Sequence, residues 1–545
     1  MTQVVAKMYE RIMIRRKKDT MDKITKLQAG SRTNRGPLDN MFLLQGCIDH
    51  AKHMNVPLYI TVYDFAQCFD ALWLEDCIVS LWKLGVQDET LSTLYQMNKK
   101  ATIQVKTPIG MTDKFTRETI VKQGTVAGPP MCSTSTAEFV AMNKVRGFPI
   151  GGTSISSMIL VDDVLNANSC PGDVITSHDN MENFSMLKRA PLNGSKCYVL
   201  PVNTKHPFTI PCLKHGNLNL DVVEKVLYLG NMFNRKGDNK DKIKDRVQKS
   251  KTCMIESFSV CSEITLGIYT IQSLLLAHNM IFIPTMLYGA QTWTNLTVND
   301  ERILRTTQLQ FLKRTLRVPS SACNSVTILE LGVLPVISEI HVLKLTFLHH
   351  VLTLDEGDPV KEVYKEQLKL PEEKNWANEV RQLRAVYELP ESDIEVMSLP
   401  KDEWKMQVDG AVRMKAVDDL NQEKNSLSKS SSLPDSDSLQ TSKYLYHFKI
   451  SHSCLLFRVR SRTIDIKEAQ SFKYGNDMEC RGCGDCPETV HHVLCECPAL
   501  KSEKCNRGDE YSELFSTLEK VVLRAEEFME LIDSEEVEEC ENGEE

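Results

Sequence analysis

The sequence predicts an α+β protein whose second half is helical and whose carboxyl end carries a small cysteine-rich module. Three observations support this. Short apolar runs with strand character (57–63, 158–165 and 226–230) are interspersed with helix-like stretches such as 137–142. From about 241 to 354 glycines are few, and Ile303, Leu304, Leu309, Phe311, Leu312 and Leu316 recur near the helical period. Between 443 and 505, Cys480-Arg481-Gly482-Cys483 is followed by His491, His492, Cys495 and Cys497.

The first run delivers Asp64 at its end, and the second encloses the adjacent pair Asp162 and Asp163 between two short apolar segments. Taken singly, a strand ending in aspartate most often marks a turn or helix cap, and an Asp-Asp pair most often marks a hairpin. Together, three carboxylates on strand ends meet the requirement of a two-metal nucleotidyl-transfer centre. Magnesium takes a few carboxylates plus substrate phosphates. Two such ions ~3.5–4 Å apart clamp the attacking and leaving oxygens of an in-line displacement.

The intervening segments strengthen the pattern. Gln123-Gly124 and Gly128-Pro129-Pro130 flank a short loop that lets backbone approach a ligand closely, and the prolines stiffen the entrance to a helix. Leu192-Asn193-Gly194-Ser195-Lys196 follows the Asp pair, and Tyr228-Leu229-Gly230 closes the strand-like run. With Leu27-Gln28-Ala29-Gly30-Ser31-Arg32 ahead of Asp64, this order of elements resembles the palm of a reverse transcriptase, specifically that of non-LTR (LINE-type) retrotransposons.

The resemblance implies a right-hand polymerase palm, an antiparallel sheet with packed helices, followed by a helical thumb and a small zinc-binding module. It implies that Asp64, Asp162 and Asp163 hold two Mg2+ (or Mn2+) ions, with the Phe65 carbonyl as a further ligand. Phe69 matches the bulky residue under the incoming sugar, although a core aromatic after a strand is the plainer reading. Gln123 and Gly124 match the loop at the template and nascent base pair. Lys196 matches a lysine near the triphosphate, against the plainer reading of a solvated surface lysine. Tyr228, Leu229 and Gly230 match the primer grip. The chain departs from the family pattern at Leu160, Ser31 and Cys68, where an aromatic, a phenylalanine and an alanine are usual. Its first residues resemble the helix after the family's arginine-proline-isoleucine segment. The expectation is therefore an amino-terminally truncated copy, with the start of the fingers and any endonuclease domain missing.

The expected division is 1–50 partial fingers, 51–235 palm, 236–355 helical thumb, 356–420 helical connector with Trp376 and Trp404 as anchors, 421–442 disordered serine-rich linker, 443–505 zinc-knuckle module and 506–545 acidic helical tail. At 545 residues and 42% apolar composition, the chain has material for several cores. The net charge of −8 argues against a nucleic-acid partner until its distribution is read. Basic residues gather at 15–18, at 235–251 and at 302–317, and the acidic excess lies in the tail. Each basic run is by default a solvated helix face. Phosphate contact gains ground because the carboxylate pattern already implies a duplex nearby.

The 18 cysteines are scattered, and no signal peptide opens the sequence, so a reduced intracellular protein of the nucleus or cytoplasm is expected. The apolar stretch 268–290 carries Gln272, His278, Asn279 and Pro284 and reads as a buried helix pair rather than a membrane span. Cys480, Cys483, His492 and Cys497 form the best tetrahedral zinc set, with Cys486, His491 and Cys495 as rivals. In so small a module the metal supplies folding energy. This set matches the zinc knuckle that non-LTR elements bear after the thumb. Tyr288-Gly289-Ala290-Gln291-Thr292-Trp293 also matches an element of that group, read here as a packing corner.

The function expected is RNA-directed DNA polymerisation from an RNA template, a DNA primer or target and dNTPs, with no membrane partner. The alternatives are a non-catalytic nucleic-acid-binding relic of the same element, and a plain nucleotidyltransferase or host protein that uses the palm as a scaffold.

Overall fold

A computed structural model describes residues 4–99, 101–117, 124–204, 214–215, 218–264, 270–370, 374–428, 430–475 and 477–542. Gln123 lies outside them. Helices and an antiparallel-dominated sheet combine in an α+β fold.

Among the described residues the largest sheet has five strands: β1 (Leu58–Tyr63), β2 (Ser157–Leu160), β3 (Asp163–Asn168), β4 (Tyr198–Val202) and β5 (Asp221–Val222), in spatial order β5-β4-β1-β3-β2. Only β4 and β5 run parallel. Side chains alternate between two buried faces, as the period of two demands. Leu58, Ile60, Leu165, Ala167, Leu200 and Val202 point into one core. Tyr59, Tyr63, Val164 and Val199 point into the other. A sheet covered on both sides reads as continuous apolar runs, and these are the runs seen in the sequence.

The second face is covered by the helices Gly128–Met142 and Pro171–Lys188, which contribute Met131, Phe139, Met181 and Phe184. The first face rests on the helix Pro37–His53, on Val336–Leu352 and on the 356–420 segment, whose Val363, Trp376 and Trp404 join the same core. This segment is helical but is no outlying connector. Trp376 and Trp404 are fully buried, and their indole N–H groups donate to Gln291 O (2.6 Å) and Leu345 O (2.8 Å).

Three expectations are corrected. The stretch 421–442 is, over its described residues, tied down at both ends. Its first residues continue the helix Lys401–Asn425, Lys424 is buried and donates to Leu433 O (2.7 Å) and Pro434 O (2.8 Å), and Ser442 N donates to Glu330 O (2.8 Å). Serine-rich composition signals a shortage of apolar anchors, but one buried lysine with three acceptors, Asp435 Oδ1 being the third, supplies the missing anchor.

The stretch 268–290 is, over its described part, one helix and not a pair. Ile271–Ala277 runs through a π-turn, His278–Phe282, into Ile283–Met286. A π-turn is where a helix absorbs the N–H that Pro284 lacks. One face (Leu274, Phe282, Met286) is buried and the other (Leu276, Met280, Ile281) is exposed.

The basic runs are also partly interior. Lys242 donates to Gln45 Oε1 (2.5 Å), Arg246 stacks on Tyr288 at 4.9 Å, and Lys313 donates to Ser320 O (2.6 Å), all three being buried. Among the described residues no single helix is long and apolar enough to cross a membrane. The bent pair Asn324–Leu331 and Val336–Leu352 passes that test only jointly, and Val336, Ile340, Leu345 and Leu348 are buried in protein.

Candidate active site and metal centres

β1 and β3 pair antiparallel with Tyr63 opposite Val164, so the next residue on each strand is Asp64 on one and Asp163 on the other. β2 and β3 form a hairpin whose last pair is Leu160 with Asp163, leaving Val161 and Asp162 as its turn. Register alone therefore brings Asp64, Asp162 and Asp163 to one end of the sheet.

The electrostatics of the site follow from this placement. Burial, opposed by a hydrogen bond from its own backbone, pushes the Asp162 carboxyl up, and the Asp64 charge adds to the rise. Solvent reaches Asp163 from one side, yet desolvation by the surrounding protein, with Asp162 and Asp64, pushes it up to about 6 against the pull of Lys196. Asp162 and Asp163, both raised with Asp64 beside them, form with it a site that gains from divalent cations.

The loop Leu192 to Lys196 lies against Asp64. Asn193 N donates to Asp64 O (2.8 Å), Asn193 Nδ2 donates to Asp64 Oδ2 (3.3 Å), and Lys196 Nζ stands 3.5 Å from the same oxygen. Lys196 is exposed, so this pair is weakly held. Phe65 is buried and pairs with Leu192. Phe69 is half-buried, on the short helix Cys68–Ala71, and packs against the core on the second face of the sheet. Cys68 is buried with its sulfur 3.6 Å from that of Cys132, on the Gly128–Met142 helix.

Gly124 is exposed just ahead of that helix. The loop between them is held by Glu10, a buried carboxylate on the helix Val4–Arg16 that accepts from Val126 N (2.7 Å) and Ala127 N (3.3 Å). Sequence reading missed Glu10, since its partners lie more than a hundred residues away. Glu10→Ala leaves two amides without their charged acceptor and is expected to cost about 1–3 kcal/mol. Urea unfolding measures this, and an unchanged midpoint contradicts the contact.

Tyr228 ends β6 (Lys225–Tyr228), which pairs with β7 (Asn231–Asn234). Leu229 and Gly230 form the two-residue turn, both in the left-handed region (φ 45° and 80°), as the hairpin twist requires. The Tyr228 hydroxyl donates to Met158 O (3.2 Å) on β2 and accepts from Asn40 Nδ2 (3.3 Å). Burial pushes this phenol up, and the Asp163 charge pushes it the same way.

The corner 288–293 packs against this hairpin. Gly289 has φ 82°, and a Cβ there would lie 2.3 Å from Asn231 Nδ2. Gly289→Ala is expected to destabilise the protein by about 2 kcal/mol, from left-handed strain and the clash. A shifted urea midpoint checks this, and parent-like stability counts against the contact.

In the carboxyl module Cys480, Cys483, His492 and Cys497 place one ligand atom each within 4.8 Å of all the others. Cys486, His491 and Cys495 are not in this cluster. The Cys480 and Cys497 sulfurs are 3.9 Å apart, close to the ~3.8 Å edge of a tetrahedron with 2.3 Å Zn–S bonds. His492 Nε2 lies 3.3 Å from Cys483 Sγ, and its Nδ1 faces Glu496 at 3.6 Å, the carboxylate-to-imidazole arrangement that orients a zinc histidine. The donor set fits zinc.

The fully buried Glu488 accepts from Lys467 N (2.9 Å) and Arg481 N (2.9 Å), fixing the Cys-x2-Cys turn. The module has more core than its size suggests. Val490, Val493 and Leu494 pack with Leu518, Val521 and Phe528 of the helix Phe515–Asn542, in a core continuous with that of the helices between 243 and 340. Arg524 of that helix is fully buried and donates to Val493 O (2.9 Å), Ser502 O (2.8 Å) and Cys497 O (2.6 Å).

Comparison with known proteins agrees with this geometry over the first part of the chain. Residues 1–233 match the family described as reverse transcriptase (RNA-dependent DNA polymerase), and over that stretch the chain resembles RNA-directed DNA polymerases. Its solved structural neighbours include apo telomerase from Candida tropicalis (14% identity, TM-score 0.35, covering 73% of this chain and 61% of that one). They also include the same telomerase truncated from its C-terminal domain (16%, 0.31, 42% and 44%). A third is Candida albicans telomerase in complex with a fragment of telomeric RNA (12%, 0.32, 74% and 56%). The chain thus spans between 44% and 61% of the length of these solved chains. No curated protein matches it.

Proposed function

We propose that this chain is the RNA-directed DNA polymerase of a non-LTR (LINE-type) retrotransposon, acting inside the cell by two-metal nucleotidyl transfer. The observation that supports it most is the convergence of Asp64, Asp162 and Asp163, a hundred residues apart in sequence, at one end of a sheet whose flanking loops carry the remaining elements in order. Two Mg2+ or Mn2+ ions, when bound, neutralise the attacking and leaving oxygens.

The chain's own residues do the positioning that dominates phosphoryl transfer. Asp64 and the Phe65 carbonyl, with Asp162 and Asp163, hold the cations. Lys196 swings from Asp64 to the triphosphate. Phe69 lies under the sugar and disfavours a 2′-hydroxyl. Gln123 and Gly124 contact the template and nascent pair, with Glu10 tying down Val126 and Ala127 just beyond Gly124. Tyr228, Leu229 and Gly230 set the primer end. The four-ligand cluster of the carboxyl module holds one structural Zn2+ and presents the knuckle to RNA or target DNA.

Primer extension on poly(rA)/oligo(dT) with Mg2+ or Mn2+ tests the reading. Extension dependent on Asp162 supports it. Retained RNA binding without extension in either metal rejects it in favour of a non-catalytic relic.

A further inference from the structure

Val161 immediately precedes the two carboxylates and carries φ 60°, a left-handed conformation that a β-branched residue adopts only when its surroundings impose it. Two side chains share that constraint: the Thr136 hydroxyl donates to Val161 O (2.5 Å), and Gln28 reaches both backbone groups. Gln28 is fully buried, and its Oε1 accepts from Val161 N (3.0 Å) and from Gly30 N (2.8 Å). Its Nε2 donates to Val161 O (3.3 Å), Ser133 O (3.3 Å) and Thr136 Oγ1 (3.1 Å).

A single amide therefore engages both backbone groups of the turn residue. It also joins the turn to the helix Gly128–Met142, which begins at the loop after Gln123 and Gly124. The backbone around Gln28 is itself locked to β2, with Ala29 N donating to Ile159 O (2.8 Å) and Ile159 N donating to Leu27 O (2.9 Å). Gly30 permits the approach, since a Cβ there would lie 2.6 Å from Val161 N. Ser31, through its hydroxyl, meets Ser133 at 3.1 Å on the same helix. A purely space-filling residue needs none of these five bonds.

We infer that Gln28 is a positioning residue for the cation-binding hairpin: it holds Val161 in its left-handed turn, aims Asp162 and Asp163 at Asp64, and couples the hairpin to the template-side loop. This rests on the polymerase reading above. Gln28 acts through the carboxylates and touches no reacting atom. Its loss is thus expected to weaken cation binding and the chemical step, and to leave nucleotide binding unaltered.

The test uses the full chain carrying Gln28→Met, an apolar near-isostere, and Gln28→Glu, which keeps the acceptor for Val161 and Gly30 and loses the donors. Two readouts are taken: the Mn2+ concentration giving half-maximal thermal stabilisation without nucleic acid, and kcat and KM for dTTP in primer extension. Gln28→Met is expected to raise the half-saturating Mn2+ and lower kcat, each about 10- to 100-fold, with Gln28→Glu between it and the parent. KM should stay within about threefold. Should Gln28→Met not fold, Gln28→Glu carries the same expectations at the lower end of that range.

Parent-like Mn2+ half-saturation and kcat in the folded variants overturn the role of Gln28, and so does a KM effect at unchanged kcat. A parent that neither extends primers nor is stabilised by Mn2+ overturns the polymerase reading itself, a different and separately visible failure.

Discussion

Asp162→Asn is expected to reduce deoxynucleotide incorporation by at least about 10³-fold, equivalent to about 4 kcal/mol of transition-state stabilisation, while the protein stays folded. The side chain sits on a hairpin turn flanked by Asp64 and Asp163, so asparagine fits the space and removes only a charge that metal-free protein tolerates poorly. Single-turnover extension with Mn2+, alongside a melting curve, measures both halves of the expectation. Parent-like incorporation in the variant sinks the metal-site reading.

The neighbouring carboxylate supplies a pH signature. Asp163 is raised from 3.8 to about 6, so the folded protein holds that proton more tightly than the unfolded chain. Its contribution to stability is complete below about pH 3.8 and is lost as pH rises through about 6. In chelator, Asp163→Asn should therefore be the more stable protein above pH 6, by no more than about 1 kcal/mol because solvent reaches the group. Urea titrations of parent and variant at pH 4 and pH 8 decide it: an advantage for the variant confined to pH 4 has the wrong sign.

Removal of zinc is the second large effect. One Zn2+ per chain is expected, and stripping it should cost the carboxyl module several kcal/mol, part of the ~10 kcal/mol or more that a closed cysteine–histidine site gives a zinc-finger peptide. Loosening should not stop at the ligands. Arg524 ties the helix Phe515–Asn542 to Val493 and Cys497, so amides over 490–500 and the first turns of that helix should exchange faster together. β1 and β3 belong to other cores and should exchange as before. Metal analysis and hydrogen exchange after chelation test this, and zinc well below stoichiometry, or exchange unaltered by chelation, counts against the site.

Much of the candidate site was legible because its parts are local patterns. An apolar run ending in Asp64, a two-residue turn before Asp163 and a Cys-x2-Cys turn each announce themselves within a few residues, and strand period and turn geometry then bring the groups to one sheet end or one cluster. The same locality explains the failures. Lys242, Arg246 and Lys313 look like members of solvated basic runs, because nothing within a turn of them reveals Gln45, Tyr288 or Ser320. The serine-rich 421–442 stretch looks unanchored, because its anchors are Lys424 and the carbonyl of Glu330. Glu10 carries no signal at all, and Gln28 stands in the 27–32 element without its bracing role showing, since the amides and carbonyls they hold at 126–127, 133 and 161 lie more than a hundred positions away.

The sequence by itself determined which chemical groups stand at strand ends and turns, because hydrophobic period, turn preference and ligand spacing are properties of neighbouring residues. Only the tertiary structure decided which cations are buried, which helices support the sheet and which amide braces the Asp162–Asp163 hairpin. These depend on contacts between distant segments, whose geometry exists only once the three cores have closed.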